Sequence, residues 1–577
     1  LSAEAVDGAF SVTGALPVSD VVAAARLAAQ TVVPDAELLT AGVPLHAEAA
    51  AAQASVEVNT IGWGSLVAVL LLVWLTFRSL RPILLISLSL LVGCAAALSV
   101  TALLFGQVHL LTLVFGASLV GVAEDYGFHW FAARQAEPAL PRDDLLRHLL
   151  PGLLLALATS VVAYLALGLA PFPGLRQMAV FSASGLAAAF LTVVCLFPWL
   201  DRRASPRTRF GTRCAASLMH WPRWRANGRG AAVAAILLAF VGVGLARLQA
   251  HDDLRHLHAA PPDLVAMEGR IGELLGLPSP AQFFLIEGDR VDELLVQEEA
   301  LASRLDMLVA NRTLSGYQAL SQWVPSVARQ RDNARLTAAI ETAVIARLNG
   351  ETGDSLQRAT FADTPLALAD IERLPQGDSL LRTWLGPVAG RQGSLVMLSG
   401  VQTTSLPALR TAAIGIDGVR FVDRSADLSA LLARYRVDMA KLLVAGYLGV
   451  LALLAWRYRG GAWRALAPTV IGSLITLAVF GWMGWPLQLF GVLGLLLLLG
   501  MGVDYGIFLV EHPGDGAAWL AVALAGISTL LAFGLLALSA TPALRAFGLT
   551  MLIGEISIWL MTPCFRPPAL KDAATTC

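Results

Sequence analysis

The fold turns on two stretches, GVAEDYGFHWF (residues 121–131) and GMGVDYGIFLV (residues 500–510). Each lies in a run of apolar residues long enough to cross a bilayer, which takes about 20 residues of helix. Asp125-Tyr126-Gly127 falls over Asp504-Tyr505-Gly506 at an offset of 379. Further on, TSVVAY (159–164) falls over STLLAF (528–533), and Leu175-Arg176 over Leu544-Arg545, both at an offset of 369. The difference is absorbed in one loop, long in ARQAEPALPRDDLLRHLL (133–150) and short in EHPGDG (511–516). The chain therefore reads as two homologous halves. Each carries an Asp-Tyr pair on an equivalent helix at equivalent depth.

Composition supports this reading. Of 577 residues, 56% are hydrophobic and 14% charged, with mean hydropathy +0.67. A soluble globular chain carries about 25% charged residues, so the fold class is a polytopic α-helical membrane protein. The net charge is −1, and no basic domain of the kind that holds nucleic acid is present. The chain opens at Leu1 without Met or a signal peptide, which suggests an N-terminal portion is missing. Cys94, Cys195, Cys214, Cys564 and Cys577 share no metal spacing and are expected to serve in packing.

Eleven spans are expected, near 61–77, 82–105, 110–133, 151–170, 176–200, 230–248, 439–457, 466–484, 487–511, 517–538 and 543–563. Arginines cluster in RSLR (78–81), in the loop 201–229 and in WRYRGGAWR (456–464). Eleven spans put all three on one side, the cytoplasm by the positive-inside rule. The opposite turns, FGQVH (105–109) and APFPG (170–174), carry no Lys or Arg. The expected division is an extracytoplasmic segment 1–60 and a five-span bundle 61–200. A basic cytoplasmic loop 201–229, a span 230–248 and an extracytoplasmic domain 249–438 follow. A second five-span bundle 439–566 and a cytoplasmic tail 567–577 complete it. The first half is one helix short of the second, so a full chain is expected to hold twelve spans.

Within 249–438, QFFLIEG (282–288), SLVMLSGV (394–401) and VRFVD (419–423) read as strands. RVDELLVQEEALASRL (290–305) and LPALRTAA (406–413) read as helices, giving an α+β domain. His251, His256 and His258 beside Asp252 and Asp253 raise the possibility of a metal. Their position between span and domain reads instead as a solvated linker.

A carboxyl near the middle of a spanning helix costs about 2.5–3.5 kcal/mol and faces the bundle or a water-filled cavity. Asp125 and Asp504 are thus candidate proton carriers, driven by a potential worth about 2.3 kcal/mol per charge per 100 mV. Tyr126 and Tyr505, at i+1, do not face their own Asp. Cross-pairing of Asp125 with Tyr505 and of Asp504 with Tyr126 is geometrically open. His129, at i+4 from Asp125, is either a relay or a structural residue, and its counterpart Phe508 carries no proton. Glu124, whose counterpart is Val503, and Glu555 are cavity-lining, relay or structural acids. Gly121, Gly127, Gly500, Gly502 and Gly506 are expected to allow close helix packing.

The two halves, the extracytoplasmic segments and the Asp-Tyr pairs resemble the resistance–nodulation–division superfamily, in its MMPL-type lipid-exporting branch. LTLVFGASLVGVAEDYGFHW (111–130) and FGVLGLLLLLGMGVDYGIFLVEH (490–512) resemble exporters tied to aryl-polyene (xanthomonadin-type) pigment clusters. DDLRHLHAAPPDL (252–264), SGYQALSQWVPSVARQ (315–330) and GVRFVDRSADLSALLARYR (418–436) do so as well. The resemblance implies porter-type extracytoplasmic domains of α/β fold and proton-driven export of a lipid-like molecule from the bacterial inner membrane. It places Asp125, Tyr126, Asp504 and Tyr505 in the proton relay. Glu124 departs from the pattern, as do the absent first helix and the shortened first porter segment.

A multi-pass proton-driven transporter with no cofactor beyond the proton gradient is thus expected. Its partners would be membrane lipids, the lipid-like or aryl-polyene cargo, and acyl carrier or periplasmic lipoprotein partners. Monomer and homo-oligomer both stay open. The alternatives are a non-transporting lipid or sterol sensor and an accessory to protein translocation. No nucleophile–base pair, phosphate loop or metal cluster marks an enzyme.

Overall fold

The computed structural model describes residues 18–106, 108, 112, 118–169, 173–203, 205–224, 227–252, 261–358, 364–377, 381–388 and 390–568. Turn residues 107, 109 and 170–172, the stretch 253–260 with Asp253, His256 and His258, and Cys577 lie outside them. Two compact units are present. One comprises residues 1–50 and 260–428, the other 51–259 and 429–577.

The second unit is a helix bundle. Its long helices are α1 (Trp63–Phe77), α2 (Leu80–Phe105), α3 (Ser118–Ala136), α4 (Arg142–Gly168), α5 (Pro173–Leu200) and α6 (Gly228–Arg247). They continue with α7 (Arg424–Tyr458), α8 (Ala462–Met483), α9 (Leu489–Glu511), α10 (Gly516–Ala532) and α11 (Pro542–Met561). The repeat is visible in the packing. In the first half α2 packs on α3 and α5, α3 on α5, and α4 on α5. In the second, α8 packs on α9 and α11, α9 on α11, and α10 on α11. The halves then exchange partners: α3 packs on α10, and α9 on α4. Each Asp-bearing helix therefore lies against the following helix of the other half.

Among the described residues nine helical stretches, rather than eleven, are long and apolar enough to cross a membrane. Two places account for the difference. Helices α7 and α8 run together through the short turn Arg459–Gly461 into one stretch, Arg424–Met483. Helix α3 carries Glu124, Asp125 and Arg134 within 19 residues. The apolar residues 110, 111 and 113–117 that begin the expected span lie outside the described residues, so the described part holds three charges without the apolar stretch before them.

One end of the bundle is tied together by the Arg-rich segment 201–229. Gln135 Nε2 donates to the carbonyl of Pro206 (2.5 Å), and Thr208 Oγ1 to that of Thr76 (2.7 Å). On the second half, Trp519 Nε1 donates to Ser217 Oγ (2.9 Å), and the Trp224 amide to the Cys564 carbonyl (2.7 Å). At the other end Asp252 is buried. One oxygen meets Arg436 Nε at 2.6 Å, and the other accepts from the Leu489 amide at 2.8 Å, at the start of α9. Asp252 is therefore not part of a solvated linker, because it neutralises a charge and satisfies a free amide of the helix that carries Asp504. His251 is exposed. Cys94, Cys195, Cys214 and Cys564 are free thiols, and Cys195 lies on an exposed face rather than in the packing expected of it.

The other unit is α+β. Strands β1 (Pro278–Gly288), β2 (Gly316–Gln318), β3 (Trp384–Val388), β4 (Arg391–Ser399) and β5 (Val419–Asp423) form one antiparallel sheet. The order is β2-β4-β1-β5, with β3 also on β4. The three strands and two helices expected from sequence are present, whereas β2, β3 and the helices Pro262–Leu275 and Val327–Thr352 lie beyond that expectation. QFFLIEG lies in β1, VRFVD is β5, and LPALRTAA is the helix Leu406–Ala413. The helix Val291–Ala310 sends Leu294, Leu301 and Leu305 into a core with Phe284, Ile286, Val396 and Leu398. Residues 18–50 add two ion contacts, Glu37 to Arg270 at 3.1 Å and His46 to Glu268 at 2.8 Å.

Glu298 sits in this core with no exposed surface. Its carboxyl accepts from the Ser321 amide at 2.6 Å and from the Ser394 hydroxyl. Burial pushes its pKa up, and the hydrogen bonds from Ser394 and Ser321 offset only part of that. The native state thus holds this proton more tightly than the unfolded chain does. Its contribution is greatest at low pH and is lost as pH rises through the raised native value. In the full chain, Glu298→Gln should remove that part of the pH dependence. Amide exchange of the helix Val291–Ala310 should then vary less between acidic and neutral pH than in the wild type. An unchanged pH profile would contradict the assignment.

Candidate functional site

The site is built where the exchanged helices meet. Asp504, on α9, is 3% exposed. Its carboxyl lies within hydrogen-bond distance of Thr159 Oγ1 and Ser160 Oγ of α4, both at 3.3 Å, and the Thr159 hydroxyl shares its one proton with the Ala156 (2.9 Å) and Leu155 (3.0 Å) carbonyls of its own helix. Ser160 Oγ also contacts the Gly500 carbonyl at 3.0 Å. Asp125, on α3, is equally buried, but among the described residues neither of its oxygens has a hydrogen-bond partner. The asymmetry is chemical. Thr159-Ser160 aligns with Ser528-Thr529 on α10. Ser528 donates to the Ala525 carbonyl of its own helix (2.9 Å), as Thr159 does to Ala156, but among the described residues neither Ser528 nor Thr529 reaches the Asp125 carboxyl.

Other acids share this region. Asp504, Glu124 and Glu555 all lie within electrostatic range of Asp125. Glu555, on α11, is fully buried, with both oxygens free of hydrogen bonds. Glu124 is buried with Oε2 unpartnered, and no arginine pairs with it among the described residues. Four carboxyls thus crowd a low-dielectric interior, where charging one opposes charging its neighbours. Leaving a buried polar group without a partner costs about 1–3 kcal/mol.

The expected Asp–Tyr cross-pairs are not formed. Tyr126 is in range of Asp504, but its hydroxyl closes no hydrogen bond, and its ring packs edge-on against Phe190 at 5.7 Å. Tyr505 stands beside Glu555 and Thr529, again without a hydrogen bond. The reason is the i+1 position, which turns each tyrosine towards its own half while α4 supplies the donors to Asp504. His129 does not bond Asp125 either. It stacks on Phe508, its own counterpart in the repeat, with centroids 3.3 Å apart and planes at 18°. The two equivalent positions therefore meet face to face where α3 crosses α9.

Glycines set the closeness of helix crossings within each half. A Cβ at Gly506 would meet the Ala465 carbonyl oxygen at 2.1 Å. At Gly127 it would meet Ile86 at 2.6 Å and at Gly502 Ile558 at 2.7 Å. Gly500 has ordinary contact with Ala163 at 3.6 Å, and Gly121 lies in the first turn of α3. Thr159 and Ser160 are site residues that sequence reasoning passed over. The signal was present, since hydroxyl pairs occupy matched positions on the helix after each Asp helix.

No family model matches the chain. Over 581 residues it is 23% identical to the hopanoid transporter HpnN of Burkholderia multivorans (strain ATCC 17616 / 249), an alignment covering 87% of this chain and 66% of that protein. Over 176 residues it is 26% identical to the hopanoid transporter HpnN of Rhodopseudomonas palustris (strain TIE-1), covering 29% of this chain and 20% of that one. Among solved structures, SecDF of Thermus thermophilus superposes with a TM-score of 0.47 at 15% identity, covering 91% of this chain and 63% of that one. The chain thus spans less than two thirds of the length of each of these proteins.

The hydroxyl asymmetry can be checked by stability. Replacing Thr159 by Val together with Ser160 by Ala strips the Asp504 carboxyl of both donors and should cost about 1–3 kcal/mol. The matched change in the other half, Ser528→Ala with Thr529→Val, removes no bond to a carboxyl and should cost distinctly less. Thermal unfolding in detergent reads the difference. Equal destabilisation would contradict it.

Proposed function

We propose that this chain is a proton-coupled exporter of a lipid-like substrate, of resistance–nodulation–division type. It works in the bacterial inner membrane with its α+β unit in the periplasm. The observation that carries the proposal is the pair of equivalent buried carboxyls at the seam of the two halves, one hydrogen-bonded and the other not. Likeness to a hopanoid transporter over most of the chain supports a lipid as cargo. The motifs shared with pigment-cluster exporters favour, more finely, an aryl-polyene lipid.

The coupling step follows from the asymmetry. In the arrangement seen, Asp504 holds its two hydroxyl donors and Asp125 lacks them. A proton arriving at Asp125 removes the cost of its charge, and release of that proton restores it. The matched resting place for Asp125 is the Ser528-Thr529 pair, reached by sliding α3 along α10. Alternation of the two pairings is a two-state element of the kind that drives shear motions, and the α+β unit would carry the motion to the lipid. Tyr126, Tyr505, Glu124 and Glu555 line the path, and His129 adjoins it. The energy source is the proton gradient, with no cofactor and no catalysis of bond chemistry. Acyl carrier or periplasmic lipoprotein partners would deliver and receive the cargo.

The test is proton flux into liposomes containing a pH-sensitive dye and lipid extract, under an imposed pH gradient. Asp125→Asn and Asp504→Asn should each reduce wild-type flux by about tenfold or more, and lipid export should fall with it. Flux and export that survive the double replacement would refute proton coupling through these carboxyls.

A further inference from the structure

Three histidines lie in sequence from the seam to the surface. His129 of α3 is 2% exposed, and His512, just past the end of α9, is 7% exposed. His148, in the second turn of α4, is exposed. His148 and His512 meet ring to ring, with centroids 4.7 Å apart and planes at 73°. His512 lies one turn beyond Phe508 on the same face of α9, and its amide donates to the Phe508 carbonyl at 3.0 Å. Phe508 is the ring on which His129 stacks, and His129 and His512 are within electrostatic range of one another. Helix α4 closes the arrangement. A Cβ at its Gly152, one turn after His148, would touch Phe508 at 3.2 Å and Glu511 at 3.9 Å.

The repeat shows that the fold does not need these imidazoles. The positions equivalent to His129, His512 and His148 are Phe508, Ala133 and Ala517. The first half alone has a histidine one turn from its buried Asp, and the chain leading away from it passes through His512 of the second half to His148 of the first. His512 Nδ1 is buried and bonds nothing among the described residues. We infer that His129, His512 and His148 form a proton-conducting wire between the Asp125 carboxyl and water at the Arg-rich end of the bundle. The wire rests on the proton-coupled reading above and assigns the route on one side.

The carboxylates nearest the wire, Glu511 and Asp515, act on His512 against the effect of burial, but each is held by a partner of its own. Glu511 is held by Arg457 (2.9 Å) and by the Tyr458 hydroxyl (2.9 Å) of α7. Asp515 accepts from the Ala517 amide at the start of α10 (2.9 Å). Asp144 faces Arg147 on the exposed side of α4. Burial, then the neighbouring His148, pushes the His512 pKa below the usual histidine value. At neutral pH the ring is therefore uncharged, with one nitrogen able to accept a proton while the other gives one up. Transfer through each imidazole leaves it neutral again, and the carboxylic acid proton of Asp125 is the only one gained or lost.

The test uses the full chain in lipid nanodiscs, with a light-released acid as the probe. Protonation of Asp125 is followed by the infrared carbonyl band that Asp125→Asn abolishes. His512→Leu and His148→Leu should each slow its appearance by about tenfold or more, with free imidazole restoring the rate. An unchanged rate, or slowing that imidazole does not relieve, would overturn the wire and leave a packing role. A wild-type chain in which Asp125 never changes protonation would overturn both the wire and the proposed function. Fast conduction in a chain that exports no lipid would overturn the proposed function alone.

Discussion

A carboxyl inside a helix bundle must be hydrogen-bonded, uncharged or reached by water, because the interior offers nothing else to carry its charge. This molecule places two such carboxyls at matched positions and treats them differently. Asp504 lies within hydrogen-bond distance of the hydroxyls of Thr159 and Ser160, whereas Asp125 has no hydrogen bond among the described residues. The rest of the bundle is arranged around that difference. Each Asp helix lies against the other half, glycines bring backbones within reach, and His129 and Phe508 meet where α3 crosses α9. An exactly symmetric repeat would have two equal sites and no preferred state.

Much of this was legible in the residues. The offset between the Asp-Tyr-Gly motifs announces the repeat, and the exchange of helix partners is its three-dimensional form. In the α+β unit the apolar alternation marks β1, β4 and β5, whereas β2 and β3 are too short, and the polar helix Val327–Thr352 too little apolar, to stand out. The span expected at 110–133 begins on residues outside those described, and its described part carries Glu124, Asp125 and Arg134. Asp252 misled. Beside three histidines it looks solvated, and only the return of the chain beneath α9 brings Arg436 and the Leu489 amide to it.

The details of the site were less accessible. Sequence spacing shows that Tyr126 and Tyr505 face away from their own Asp, but not which group of the other half they reach. In the fold neither reaches a carboxyl within hydrogen-bonding geometry. The donors to Asp504 come from a helix 345 residues away in sequence, and only the repeat alignment hints at them. The same alignment shows where the halves part company. Histidines in the first half stand over Phe or Ala in the second. That is the kind of local rule-breaking expected where function rather than folding sets the residue.

The central claim is that the charge on Asp125 decides how the two halves fit together. Spin labels at Glu137→Cys, beyond α3, and Gly460→Cys, beyond α7, report that fit directly, since both positions are exposed. Their distance distribution would be measured by pulsed electron paramagnetic resonance in nanodiscs at mildly acidic and mildly alkaline pH. The account predicts two distance populations whose ratio shifts with pH in the wild type and is locked at the acidic ratio in Asp125→Asn. A single distribution that ignores pH, or one that shifts equally with and without the Asp125 carboxyl, would contradict it.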